Sequence, residues 1–345
     1  MKNRGSRSTR YRDGLVVREI VVLTLIPLIL LSALLPGIQA VREATRRIQC
    51  ANNLRICSIN AMNFEAAFMH FPPGCSSTIP YAPTVTENSE PTDFNFSWTM
   101  YILDQEYPRR YHQVEAISFG ATLRTQQLRE TMQQSATIFR CPSDIVAPIL
   151  NIGRSFEIEN DERVPVGLSN YVGSNGSGDL AATYGPEQGN GMFLPDVRTS
   201  LTEIPDGTSN TIMFGERAWQ RNRMPWSSIR PKTFMSRAAL LYGIRGKQGG
   251  SSEGLADCLA SGKFQMNFEA VGQQEGLGES YLRRGFSSNH TDGANFAFAD
   301  GSTRFLTVSI DSDMDESTQT TQTSAVDSLW EQMLSRCDAG EPLHN

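Results

Sequence analysis

Residues 14–35 read GLVVREIVVLTLIPLILLSALL, and the architecture follows from that stretch. Ile20 to Leu35 contains no charge, and as a helix Leu15 to Leu35 reaches about 30 Å, the thickness of a bilayer's hydrocarbon core. Before it lie Lys2, Arg4, Arg7, Arg10 and Arg12 against Asp13 alone. The formal charge of -6 is therefore +4 in this basic start and -10 in everything after Gly14. Cations before an apolar span stay in the cytoplasm, so the remainder is expected on the far side of an inner membrane. A body this acidic lacks the clustered Lys and Arg that phosphate neutralisation requires, which sets nucleic acid aside as a partner.

Gly14, an apolar Leu15 and then Glu19 as the fifth residue beyond the glycine resemble a type IV prepilin processing site. The resemblance implies a prepilin peptidase that cuts after Gly14 and a methylated N-terminus at Leu15. It also implies that Glu19 pairs with the terminal amine of a neighbouring subunit, itself or another pilin-like chain, which would give a carboxylate in lipid its reason to be there. An uncleaved anchor and a secretory signal cut after Ala40 are the alternatives; Ile38 fits the small-residue rule for the latter poorly.

Beyond Pro36 the helical pattern continues. Positions 41, 44, 48, 51, 55, 59, 62, 66 and 69 are apolar except Arg55, a stripe that calls for a partner, either the protein's own sheet or a filament neighbour. Pro72, Pro73 and Gly74 end the helix. The expected organisation is a leader over 1–14, a transmembrane helix over 15–35, its amphipathic continuation over 36–71 and an extracytoplasmic domain over 72–345. The expected fold class is α+β and pilin-like, a long N-terminal helix packed on a mainly antiparallel sheet with long loops.

Within the body, FNFSWTMYIL (94–103) suits a strand or short helix, TLRTQQLRETMQQ a polar helix, and IFRCPSD a strand closing on a turn at Pro142. LSNYVGSNGSG reads as a strand running into a glycine-rich loop, and TIMFGE as a buried strand after an Asp206-Gly207 turn. No elements can be placed in 218–285. Near the end, NFAFADGSTRFLTV reads as a hairpin with a two-residue type I′ turn at Asp300-Gly301, which would set Phe296 opposite Phe305. VDSLWEQMLSR is a candidate terminal helix.

Several segments together resemble one family. They are QCANNLR with Cys50, Asn52 and Asn53; FPPG with Pro72, Pro73 and Gly74; and FRCPSD with Cys141, Pro142 and Asp144. SNYVG at 169–173 follows, then PDGTSNTIMFGE with Asp206, Gly207, Ser209, Asn210, Gly215 and Glu216, and last His290 nine residues ahead of Asp300-Gly301. In this order they are similar to the planctomycete family of domain of unknown function 1559, whose members carry prepilin-type leaders. The resemblance implies a pseudopilin-like surface or secretion-associated protein.

Catalytic residues are not expected: His290, Asp292 and Asp300 have no nucleophile in a recognisable context, and Asp300 is explained by its turn. Six cysteines with no C-x-x-C pair make no zinc pattern, and the fifteen possible pairings stay open, with one or two disulfides among otherwise buried thiols. No cofactor is expected. Calcium is the one candidate ion, from Asp311, Asp313 and Asp315, though Glu316 stands where a cation loop needs glycine. An anchored carbohydrate or surface-ligand binder, suggested by Trp98, Trp219, Trp226 and Trp330, and an anchored hydrolase at His290 remain the rival functions to a structural subunit.

Overall fold

The computed structural model describes residues 17–76, 94–106, 123–124, 126–158, 162–178, 180, 189–223, 232–245, 252–268, 282–312, 326 and 328–337. Gly14, Leu15, Trp226, Asp313 and Asp315 lie outside them, as does the side chain of Glu19. The chain divides into two compact units, Met1–Thr45 and Arg46–Asn345.

Helix α1, Val17–Phe68, runs without a break through Pro27 and Pro36. Among the described residues it is the one helix long and apolar enough to cross a membrane. In the first unit its apolar side chains from Ile20 to Leu35 are exposed. The helix ends where Met69 turns to a left-handed φ of 64°, its N–H still bonded to the Glu65 carbonyl at 2.6 Å, a common way to stop a helix. The buried FPPG segment follows, with the Phe71 N–H donating to Thr199 and the Gly74 N–H to Leu194.

The second unit is built on a five-stranded sheet. Its strands are β1 (Tyr171–Gly176), β2 (Ile212–Glu216), β3 (Leu259–Ser261), β4 (Gly293–Phe298) and β5 (Thr303–Thr307), in spatial order β3-β1-β2-β4-β5. The β3–β1 pair is parallel and the others antiparallel. A second sheet joins Cys75–Ser76, Phe94–Ser97 and Gly243–Arg245, and three two-stranded pairs complete the β structure. The fold is α+β and mainly antiparallel.

Apolar side chains on both faces of a strand need cover on both sides, and this sheet has it. One face packs with Cys50, Leu54, Cys57 and Ala61 of α1 around Trp98, Phe139, Phe193 and Phe214; the Trp98 and Phe214 ring centroids are 4.3 Å apart. The other face carries Val172, Ile212, Phe286, Phe296 and Phe298 against Trp330 and Leu334 of the terminal helix. Gly215 makes this second cluster possible, since a Cβ there would stand 2.5 Å from Phe286 and 2.6 Å from Phe296.

Several expected elements are found. FNFSWTMYIL is both strand and helix, Phe94–Ser97 running directly into α2, Trp98–Glu106. The polar helix is α3, Gln126–Met132, and the terminal helix is α4, Leu329–Leu334, opened by a Ser328–Glu331 capping box.

Three readings are corrected. First, the stripe on α1 from position 41 to 69 is not the face that packs on the sheet. Val41 is 66% exposed, Ile48 62% and Met69 76%, and the buried face is Cys50, Leu54, Cys57, Ala61 and Phe64, shifted around the helix. Second, IFRCPSD is a 3-10 turn at Thr137–Phe139 followed by further turns. Its backbone donors are taken off any strand ladder, the Cys141 N–H by the Asn170 side chain 29 residues away and the Asp144 N–H by the Cys141 carbonyl, and Pro142 has none to give, so no ladder forms. Third, the hairpin pairs Asn295 with Phe305 and Phe296 with Arg304, one residue off the two-residue turn. The Gly301 N–H bonds back to Phe298, and only Gly301, at φ +80°, is left-handed. That is a three-residue loop, whereas type I′ needs two positive φ values.

The face assignment on α1 is testable by denaturant unfolding of the full chain in detergent. Leu54→Ala should cost about 2–5 kcal/mol, the range for a buried leucine. Ile59→Ala should stay within about 0.5 kcal/mol, as exposed positions do.

Candidate functional site

A buried polar knot forms where α1, the 140–144 turn, β1, β2 and the start of β4 meet. Cys50 on α1 is joined to Cys141 by a disulfide with Cα atoms 5.1 Å apart. One turn later on the helix, the Asn53 side chain donates to the Arg140 carbonyl at 2.9 Å, and the Tyr171 hydroxyl donates to the Cys50 carbonyl at 3.3 Å. Burial and the nearby Glu216 hold the Tyr171 phenol well above its ordinary pKa, partly offset by its bond to Asn53. The cross-link closes a segment of 91 residues, worth about 4–5 kcal/mol in the chain-entropy account.

Glu216, the last residue of β2, is the centre of the knot. Oε2 accepts the Asn295 backbone N–H at 2.7 Å and Oε1 accepts the Asn295 side chain at 3.0 Å. His290 Nε2 lies 3.2 Å from Oε1 and 3.6 Å from the Cys141 sulfur; Oε1 itself is 3.8 Å from that sulfur. The side chains of His290 and Glu216 are 1% and 2% exposed. Ser288 accepts the His290 backbone N–H, the edge of Phe305 covers the imidazole at 6.4 Å between centroids, and the Arg47 guanidinium lies 3.5 Å over the Phe305 ring.

A second carboxylate adjoins this one. Asp144 accepts from the Asn170 side chain at 2.5 Å, the Trp219 N–H at 2.6 Å and the Asn289 side chain at 3.1 Å. Burial outweighs these bonds and pushes its pKa up to about 6. Asn170 spans the two halves, since its carbonyl oxygen takes the Cys141 N–H.

The signature residues thus fall into two groups. Cys50, Asn53, Cys141, Asp144, Glu216 and His290 meet in the knot, whereas Asp206, Gly207, Ser209, Asn210, Asp300 and Gly301 form a pair of docked turns at the opposite end of β4. There the Asp300 N–H donates to Thr208, Asp300 accepts from Ser302 N–H, Asn210 caps Asp206 and Arg304 reaches Ser209. His290 and Asp300 are separated by the whole strand, roughly 20 Å at about 3.3 Å per residue, so they do not act as a pair. His290 contributes to the knot and not to the turn. Pro72, Pro73 and Gly74 are buried below the end of α1, and Asn52 is exposed.

Asn170, Tyr171, Asn289 and Asn295 are site residues that sequence reasoning did not single out. The first two lie inside the quoted SNYVG segment, and Asn295 is the residue cross-strand from Phe305, visible only with the hairpin register corrected. Trp98, Trp219 and Trp330 are buried in the core. Of the acidic run, only Asp311 is described, and its carbonyl accepts the Trp330 N–H.

Chemically, the knot gathers four donors, Cys50 Sγ, Cys141 Sγ, Glu216 Oε1 and His290 Nε2, all within 4.8 Å of one another. They are the one such group among the described residues. With the disulfide closed the sulfurs are no longer thiolate donors, which leaves the imidazole and the carboxylate as the effective ligands, both of them buried.

An α+β domain cross-linked at its signature residues to a helix long and apolar enough to cross a membrane defines the class of protein. Residues 39–313 match the family described as protein of unknown function (DUF1559), and the chain belongs to that family. No curated protein and no solved structure matches it.

The raised pKa of Asp144 has a signed consequence. The fold favours its neutral form, so its contribution to stability is complete below about pH 4 and is lost as pH rises through about 6; two pKa units correspond to about 3 kcal/mol. Unfolding midpoints followed from pH 4 to 7 should fall more steeply for the natural chain than for Asp144→Asn.

Proposed function

We propose that the chain is a membrane-anchored, pseudopilin-like structural subunit of a secretion- or pilus-like assembly, held in the inner membrane by α1 with its C-terminal domain outside the cytoplasm. The observation that carries this reading is the division of labour on α1. Cys50, Leu54, Cys57, Ala61 and Phe64 satisfy the domain's own core. The apolar stripe through Val41, Ile48, Ile59, Met62 and Met69 stays exposed on a different face.

Such a face is costly to leave in water and suits a neighbouring helix of the same kind. Positions 41, 48, 55 and 62 of the helix share one heptad position, the spacing of helix pairs that pack along their length, with Arg55 the one charged member. The Gly14–Leu15 junction and Glu19 supply what a prepilin peptidase and an assembling neighbour would use. The knot supports the same reading: His290 and Glu216 are closed to solvent, and Trp98, Trp219 and Trp330 fill the core and offer no sugar-stacking platform.

The mass and N-terminal sequence of the protein from its native membrane should show a methylated Leu15; an intact Met1 or a start at Val41 would sink the reading. Ile48→Asp and Glu19→Ala should each abolish cross-linked oligomers in the membrane. Ile48→Asp should do so with a change in domain stability of no more than about 0.5 kcal/mol.

A further inference from the structure

We propose that the reduced form of the knot is a zinc site, in which Cys50, Cys141, His290 and Glu216 hold one ion tetrahedrally, and that this site and the Cys50–Cys141 disulfide are mutually exclusive states of the same residues. The argument begins with geometry. Zinc bonds of about 2.3 Å to sulfur, 2.05 Å to nitrogen and 2.1 Å to oxygen, set at tetrahedral angles, place ligand atoms about 3.5 Å (S to N), 3.6 Å (S to O) and 3.4 Å (N to O) apart. The corresponding separations around Cys141 Sγ, His290 Nε2 and Glu216 Oε1 are 3.6, 3.8 and 3.2 Å. Three edges of the tetrahedron are already in place in the oxidised protein. The fourth ligand, Cys50 Sγ, is within 4.8 Å of the others and needs only to swing away from Cys141 once the bond between them is broken.

The surroundings suit a structural ion. The first three ligands are oriented by neighbours: Glu216 Oε2 by the Asn295 N–H, His290 through its backbone bond to Ser288, and Cys141 through Asn170. Outer partners of this kind fix ligand direction in zinc sites. Charge is conserved between the two states. Disulfide, neutral imidazole and Glu216 carboxylate sum to one negative charge; so do two thiolates, the same carboxylate, the imidazole and a divalent cation. The exchange therefore leaves the net buried charge unchanged, the two thiolates being offset by direct bonds to the cation.

The chemistry balances. A small dithiol attacks the Cys50–Cys141 bond and leaves as its own cyclic disulfide, having given up two electrons and delivered two protons to the freed sulfurs. Zinc then displaces both thiol protons as its two sulfur bonds form. His290 releases the Nε2 proton that faces Glu216 and carries its proton on Nδ1 instead, since the metal takes the Nε2 lone pair. Oxidation by a protein disulfide runs the sequence backwards: two electrons pass to the oxidant, the Cys50–Cys141 bond re-forms and the ion leaves.

Cobalt substitution tests this on the full chain in detergent. The dithiothreitol-reduced protein, freed of reductant without air, should bind a single Co²⁺ with the visible bands of a tetrahedral ion and a thiolate-to-cobalt charge-transfer band, and Zn²⁺ should erase both. The oxidised protein should show neither. In the reduced state a serine closely replaces a thiol, so Cys141→Ser should weaken the charge-transfer band to that of the remaining Cys50 thiolate and bind at least about 10-fold more weakly, and Cys50→Ser with Cys141→Ser should abolish the band. Cys57→Ser with Cys258→Ser should keep the full spectrum; burial holds the Cys258 thiol protonated. A reduced chain that takes up no cobalt, whether folded or unfolded, overturns the proposal, because metal binding should itself drive the site to form. A charge-transfer band undiminished in Cys141→Ser, one that survives in the Cys50/Cys141 double variant, or one that vanishes in the Cys57/Cys258 variant overturns it equally.

Discussion

The Glu216 carboxylate, buried at the end of a central strand, is the constraint around which the second unit is arranged. An ionised carboxylate removed from water carries a penalty of several kcal/mol unless its lone pairs are met. Here they are met by the Asn295 backbone and side chain and by the His290 ring. Those partners come from the next strand and the loop that leads into it, so the acid fixes which strand lies beside β2 and in what register. A one-residue slip of β4 would turn Asn295 to the other face and bring an apolar side chain to the acid instead. The polar centre thereby specifies the pairing that the apolar residues merely permit.

Around that acid, the family's separate sequence segments become one object. Asn170 shows how this is done with few atoms: its carbonyl oxygen takes the Cys141 N–H, its amide donates to Asp144, and its backbone bonds to Phe139 and Arg217. The turn that precedes Asp144 has no ladder of its own and is held by such side chains. Arg140 completes the loop beyond it by donating to the carbonyls of Ala147 and Pro148. A buried loop is viable only if its backbone groups are all met in this way.

How much of this was legible in the sequence depended on the range of the determining interaction. The membrane-length helix, the buried strand at 212–216 and the terminal helix are specified by neighbours a few residues away, and each was readable, whereas 94–103 was readable only as strand or short helix. The face of α1 was not, because the helix has two apolar faces. The longer one, with Val41, Ile48 and Met62, is exposed, while the face that packs mixes Cys50, Cys57 and Ala61 with Leu54 and Phe64. Small and sulfur-bearing side chains score weakly in any periodic pattern yet allow the close approach that the sheet requires. The hairpin failed for a related reason: Asp-Gly is common to two turn types, and the docking of the 206–210 turn onto Asp300 favours the longer loop. The polar knot was invisible as a site because Cys50, Cys141, Glu216 and His290 are dispersed over 240 residues of chain.

The disulfide also has a mechanical meaning. Load carried by α1 within the second unit meets a covalent bond at Cys50, just past the stack of Arg47 on Phe305. From there the load divides between the rest of the helix and the 140–144 turn, which is anchored through Asn170 and Arg217 to the interior strands β1 and β2. Those central strands share the load through many backbone bonds at once. The disulfide thereby fastens the helix segment around Cys50 to the body of its own unit as a bolt is fastened through a plate.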